Sequence, residues 1–127
     1  MDNHKRQNLL RSFYCGFVGI GRMIKEERNI KIHLLVSFLT VLAGIYFRIS
    51  PVEWAIVVLT IFSIFCAEMF NSAVEQLANV VRDENHLGYQ ATRLARDIAC
   101  GAVLTLSVGA VILGLIIFLP KVFSGII

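Results

Sequence analysis

The chain has 127 residues, 57% of them apolar, with a mean hydropathy of +0.72 and a formal net charge of +3. No ordinary soluble domain of this size carries so little polar surface, so the composition excludes soluble enzymes and binding modules and points to an all-α integral membrane protein. A single domain is expected, with no linker and no nucleic-acid partner.

Residues 1–29 read as an amphipathic surface helix. Leu9, Leu10, Phe13, Phe17, Ile20 and Ile24 fall within roughly 100° of one another at helical spacing. Arg11, Arg22 and Lys25 fall on the opposite side. A basic helix of this kind suits the headgroup layer of an anionic leaflet. Seven Lys and Arg side chains stand in the first 31 residues, with no cleavable apolar core, so no signal peptide is expected.

Three apolar segments follow, each predicted to be a transmembrane helix: 32–47, 54–81 and 98–119. Between the first two, Arg48 to Glu53 is a short turn in which Pro51 signals a helix start. Between the second and third, 82–97 reads as a polar connection. The third segment places Gly101, Thr105 and Gly109 at spacing four, which permits close helix contact. Three short helices enclose little interior, so an oligomer is expected. Cys15, Cys66 and Cys100 lack metal-ligand spacing and are read as small packing residues.

Charge placement predicts the topology. The amino-terminal region and the 82–97 connection hold ten of the twelve Lys and Arg side chains, leaving Arg48 and Lys121 on the other side. By the positive-inside rule the first two regions are cytoplasmic, in a multi-pass cell-membrane protein.

The second apolar segment runs into Glu68-Met-Phe-Asn71-Ser-Ala-Val-Glu75. Positions 68, 71 and 75 share a helical stripe about 60° wide, which Asn79 continues. Carboxylates at the end of a membrane-length helix are expensive to place and are usually functional. Glu68 lies 14 residues, or ~21 Å, beyond the interfacial anchor Trp54, near the cytoplasmic interface. Glu27, Glu75, Arg96 and Asp97 are expected to meet there. Converging carboxylates can bind Mg²⁺, a further carboxylate can take a hydroxyl proton, and an arginine can hold a phosphoryl group. Together these are the parts of phosphoryl transfer. No Gly-Lys-Ser/Thr sequence occurs, so any nucleotide site is not a Walker site.

Glu68-x-x-Asn71-Ser72-Ala73-x-Glu75, then Ala95-Arg96-Asp97-Ile98-Ala99 and the ending Ile116-Ile117-Phe118-Leu119-Pro120, resembles the small prokaryotic diacylglycerol kinase/undecaprenol kinase family. The resemblance covers essentially the whole chain. Glu27-Arg28-Asn29 with Ile32-His33 is similar to the Gram-positive, undecaprenol kinase branch. The resemblance implies a homotrimer with a surface helix and three spans per subunit, Mg-ATP as donor and a lipid alcohol as acceptor. It implies Glu68 as general base, Glu27 and Glu75 as Mg²⁺ ligands that also meet the nucleotide, and Asn71 as an orienting residue. It implies Glu84, His86, Arg96 and Asp97 as further nucleotide contacts. The chain departs from the family's pattern at three positions: Arg96 stands for a usual Lys, Asn79 for a common acid, and Cys15 for an aromatic near the nucleotide.

The expected activity is ATP- and Mg-dependent phosphorylation of undecaprenol. The alternatives are diacylglycerol as acceptor and, in another class, a non-enzymatic membrane conduit. A conduit wants polar groups at every depth, and 56–65 supplies only Thr60 and Ser63. Residues outside the stripe are the ones most readily read as ordinary: Glu26, Glu27 and Glu84 as solvated charges, His33 and His86 as interfacial or structural.

Overall fold

A computed structural model describes residues 2–125, with side chains from residue 8 onward. Four helices follow in order: α1 (Asp2–Glu26), α2 (Arg28–Tyr46), α3 (Pro51–Glu84) and α4 (Gln90–Ser124). The last three are long and apolar enough to cross a membrane. All-helical architecture is what hydrocarbon allows a spanning chain of this kind, because each helix satisfies its own backbone.

The boundaries differ from the sequence expectation in instructive ways. Segment 1–29 is divided at Glu27, whose extended backbone (φ −91°, ψ 121°) separates α1 from α2. The polar connection is 85–89 rather than 82–97, and Arg93, Arg96 and Asp97 stand on the first turns of α4. Hydropathy marks where a helix meets lipid, not where it begins, and polar residues extend α3 and α4 beyond the apolar zone. α4 also runs through Pro120 to Ser124, within its final turns.

Local chemistry sets the turns. Ser50, Pro51 and Glu53 form a capping box: Ser50 N–H donates to Glu53 Oε2 at 2.7 Å and Glu53 N–H donates to Ser50 Oγ at 3.3 Å. α2 and α3 both stop on a left-handed residue, Arg48 (φ 51°) and His86 (φ 54°). The following amides, of Ile49 and Leu87, reach back to the carbonyls of Gly44 (3.1 Å) and Arg82 (2.9 Å). That six-to-one bond is the Schellman stop, here made without glycine.

α3 packs chiefly on α4, less on α2, and α1 touches α2 and α3 lightly. Two cross-helix bonds fix α3 and α4 as antiparallel: Lys121 Nζ meets Glu53 Oε1 at 2.7 Å at one end, and Arg96 Nη2 donates to Asn79 Oδ1 at 2.8 Å toward the other. The buried apolar cluster of Ile49, Val57 and Ile117, flanked by Phe47, Trp54, Ile61 and Phe118, sits at the Glu53 end, away from the carboxylate stripe. Elsewhere the flanks are bare: Phe62, Phe70 and Leu104 are well exposed in the single chain. Cys15, Cys66 and Cys100 are exposed too, so packing within one chain does not account for them.

At Gly44 the backbone of α2 lies close against Trp54 at the start of α3. A Cβ there would lie 2.8 Å from Trp54 Cη2 and 3.1 Å from Ile49 Cδ1. Gly44→Ala is expected to displace the Trp54 ring and destabilise the fold by about 1–3 kcal/mol. Trp54 is the chain's one tryptophan, so its emission spectrum reports the displacement directly and thermal unfolding in detergent gives the loss.

Candidate active site

Glu68 is the most deeply placed charged group of the stripe, at 4% exposure. A bare carboxylate so placed would be strongly unfavourable. It is met across the helix interface by His33 of α2, Nε2 to Oε1, at 3.0 Å. His33 was read from sequence as interfacial or structural, and the structure instead sets it on the leading candidate base. The sequence carried no signal for this, since the contact depends on the register of α2 against α3.

One turn further along α3, Asn71 is also buried, at 9% exposure. Its Nδ2 lies 3.5 Å from Glu75 Oε1, a long contact, and its Oδ1 is buried with no hydrogen-bond partner in the chain. Buried amide oxygens are rarely left unpaired, so this one marks Asn71 as a candidate site residue. Glu75 is half-buried.

Asn79 completes the stripe by accepting from Arg96, and this explains its place better than any direct ligand role. Arg96 Nε also donates to Thr92 Oγ1 at 3.2 Å, and its guanidinium carbon stands 5.0 Å from the Tyr89 ring centre. Three partners therefore hold one guanidinium, leaving its remaining N–H groups to aim at an anion. Thr92 and Tyr89 were not singled out from sequence; an arginine with a threonine four residues earlier on a helix was the available signal.

Glu27 lies in the break between α1 and α2, flanked by the buried Met23 and Ile30. Its carboxylate makes no cap bond to α2, although it occupies the cap position, so both oxygens remain available. The described residues contain no group of three or more His, Cys, Asp or Glu arranged to hold a metal ion. Two carboxylates nevertheless suit Mg²⁺, which takes one or two carboxylates and completes its shell with phosphate oxygens and water.

The remaining predicted residues stand apart from the stripe. Glu84 ends α3 and is exposed. His86 is exposed, and its backbone closes α3. Asp97 pairs with Arg93 on its own helix, 3.5 Å from Nε, rather than with Arg96. Cys15 is exposed on α1. Beside the stripe, α2 and α4 bound an apolar groove of about 370 Å³ floored by α3. It begins at Ile32 and His33, passes Thr40, Thr60 and Gly114, and reaches Phe118.

The arrangement orders its groups by height along α3. Glu75 stands about 10 Å above Glu68, and Asn79 about 6 Å above Glu75. Along α3 a buried carboxylate near the end of an apolar groove is followed by a buried amide, a second carboxylate and a clamped arginine.

A family model described as prokaryotic diacylglycerol kinase matches residues 14–118. The chain is 35% identical over 125 residues to an undecaprenol kinase of Bacillus subtilis, covering 95% of this chain and 99% of that one. It is 27% identical over 117 residues to a diacylglycerol kinase of Synechocystis, covering 92% of this chain and 66% of that one. No solved structure matches the chain significantly.

The orphaned oxygen of Asn71 gives a test independent of any ligand. Asn71→Leu removes a buried unpaired acceptor and is expected to leave the thermal midpoint unchanged or raise it. Unfolding scans of the two proteins in the same detergent check this; a fall of several degrees would show that Asn71 is a structural partner of Glu75.

Proposed function

The chain belongs to the prokaryotic diacylglycerol kinase family, and we propose that it is the member of that family that moves the terminal phosphoryl group of ATP to undecaprenol. One observation carries the reading: a carboxylate buried at the base of a height-ordered polar stripe, with an apolar groove opening beside it. The donor is charged and reaches the site from water; the acceptor is apolar and reaches it from lipid. Glu68 is where the second would be activated, and Glu75, Asn79 and Arg96 lie where the first would be held.

The chain's own residues divide the work. Glu68 accepts, through its free oxygen, the proton of the lipid's primary hydroxyl as the hydroxyl oxygen attacks phosphorus. Asn71 offers its unpaired Oδ1 to the same polar head or to a water beside it. Arg96, fixed by Asn79, Thr92 and Tyr89 about 16 Å above Glu68 along α3, holds the outer part of the donor's phosphate chain rather than the transferring group itself. Glu84, His86 and Asp97 line the aqueous approach of the nucleotide, and Cys15 stands at its edge on α1. Glu27 and Glu75 would hold Mg²⁺, which would supply charge neutralisation of the ATP phosphates.

Placement follows the same logic. The site faces the cytoplasm, where ATP is available and where the basic amino-terminal region belongs. α1 lies along that surface, with Leu9, Phe13 and Phe17 toward lipid. Gly101 and Gly109 on α4, where an added Cβ would meet nothing within 4 Å, leave room for close approach of another copy's helix in a homotrimer.

The more extensive of the two matches, to an undecaprenol kinase, favours undecaprenol as the acceptor. The second match favours diacylglycerol as the alternative acceptor. Phosphate transfer from labelled ATP to the two lipids, side by side in mixed micelles with Mg²⁺, is expected to favour undecaprenol. Preference for diacylglycerol would change the acceptor, and absence of transfer to either by folded protein would overturn the reading. Glu68→Gln is expected to lower kcat by about 100-fold or more while the protein still folds. Gly114→Phe tests the groove, which Gly114 lines and where an added Cβ meets nothing within 4 Å. It is expected to raise KM for undecaprenol and leave KM for ATP unchanged, both read from the same transfer assay.

A further inference from the structure

We propose that His33 is the positioning residue of Glu68, holding one carboxylate oxygen so that the other is presented to the acceptor hydroxyl. This rests on the kinase reading above and adds a residue to it. The geometry is specific. His33 Nε2 lies 3.0 Å from Glu68 Oε1. No other hydrogen bond or ion pair to that carboxylate occurs among the described residues, since Asn71 turns its amide toward Glu75. With the ring N–H donating to Oε1, the carboxylate plane is fixed and Oε2 is left as the available acceptor.

The surroundings say why a histidine on α2 serves here. His33 also lines the apolar groove, at its upper end beside Ile32. A lipid alcohol seated in that groove brings its hydroxyl past His33 to Glu68. The histidine therefore stands where the groove ends and the carboxylate begins, and α2 and α3 each supply one half of the pair. A long, flexible glutamate has three side-chain torsions. Without a donor across the interface its carboxylate samples orientations in which no oxygen faces the incoming hydroxyl.

The step balances without a proton passing through His33. The hydroxyl proton moves to Glu68 Oε2, a bond forms between the lipid oxygen and the terminal phosphorus, the bridging bond to that phosphorus breaks, and ADP leaves with its electron pair. His33 keeps its proton and its contact throughout. An amide N–H of sufficient reach can therefore take its place, and a group without a donor cannot.

The test uses the full chain in mixed micelles, with rates expressed per folded protein. His33→Leu is expected to lower kcat about 10- to 100-fold, the range for losing a hydrogen bond to a charged group. KM for ATP and for the lipid should stay within about 2-fold, because positioning of the base acts in the transition state. His33→Gln keeps a donor of comparable reach and is expected to recover kcat to within about 5-fold of the parent. Should the Leu variant not fold, His33→Asn replaces it: its shorter amide stays polar but falls short of Oε1, and the same loss is expected. Parent-like kcat in the variant lacking the donor overturns the proposal. So does a Gln variant as slow as the Leu or Asn variant, which would mean that the ring must titrate. Absence of lipid phosphorylation by the parent protein would instead overturn the kinase reading itself.

Discussion

An ionised carboxylate withdrawn from water is unfavourable by several kcal/mol unless a donor meets it, and Glu68 is met by one side chain, from another helix. That requirement couples α2 to α3 at the Glu68 end of the stripe. It sets the register in which the other stripe residues are displayed, because once Glu68 is docked against His33 the positions of Asn71, Glu75 and Asn79 follow from helix geometry alone. It also accounts for the distribution of order in the molecule. The apolar cluster around Val57 and Ile117 and the Lys121–Glu53 bond lock the far end. The near end is held by polar contacts that leave space between them.

That asymmetry suits chemistry between two phases. A site that takes an apolar acceptor and a highly charged donor cannot be enclosed by hydrophobic packing on every side, and it cannot be fully open to water either. On the proposed kinase reading, the polar groups of α3, met by His33 from α2 and Arg96 from α4, would sort the reactants by height along that helix. Arg96 illustrates the same economy. The family's usual lysine is a flexible point charge, whereas the arginine here is clamped by Asn79, Thr92 and Tyr89. Two departures noted separately in the sequence, Arg96 and Asn79, are thus one hydrogen bond in the structure.

Much of this was legible beforehand, for a definable reason. The three membrane-length helices and the stripe through Glu68, Asn71, Glu75 and Asn79 are properties of one helix at a time, and periodicity reports those directly. Pro51 marked the start of α3 for the same reason. What stayed hidden were relations between helices and the extents of helices beyond lipid. His33 lies 35 residues from Glu68 in the chain, and no local pattern reveals that the two meet. The start of α4 at Gln90 was missed because charged residues were taken to mark a connection, when they mark only the part of a helix outside the bilayer. The role of His86 as a left-handed stop for α3 lies in the backbone and has no side-chain signature, since glycine or asparagine is the usual residue there.

The height-ordered stripe carries an implication about which changes of chain length the protein can absorb. Adding one residue to α3 between Glu68 and Asn79 would turn everything after it by 100° and advance it by about 1.5 Å. The acceptor end and the nucleotide end would then face different directions. The same addition within 85–89 falls between the stop of α3 and the start of α4 and alters no register within either helix. Insertions and deletions across descendants of this chain should therefore collect in that five-residue link and spare the eleven-residue interval before it, so that a length alignment alone would outline the site.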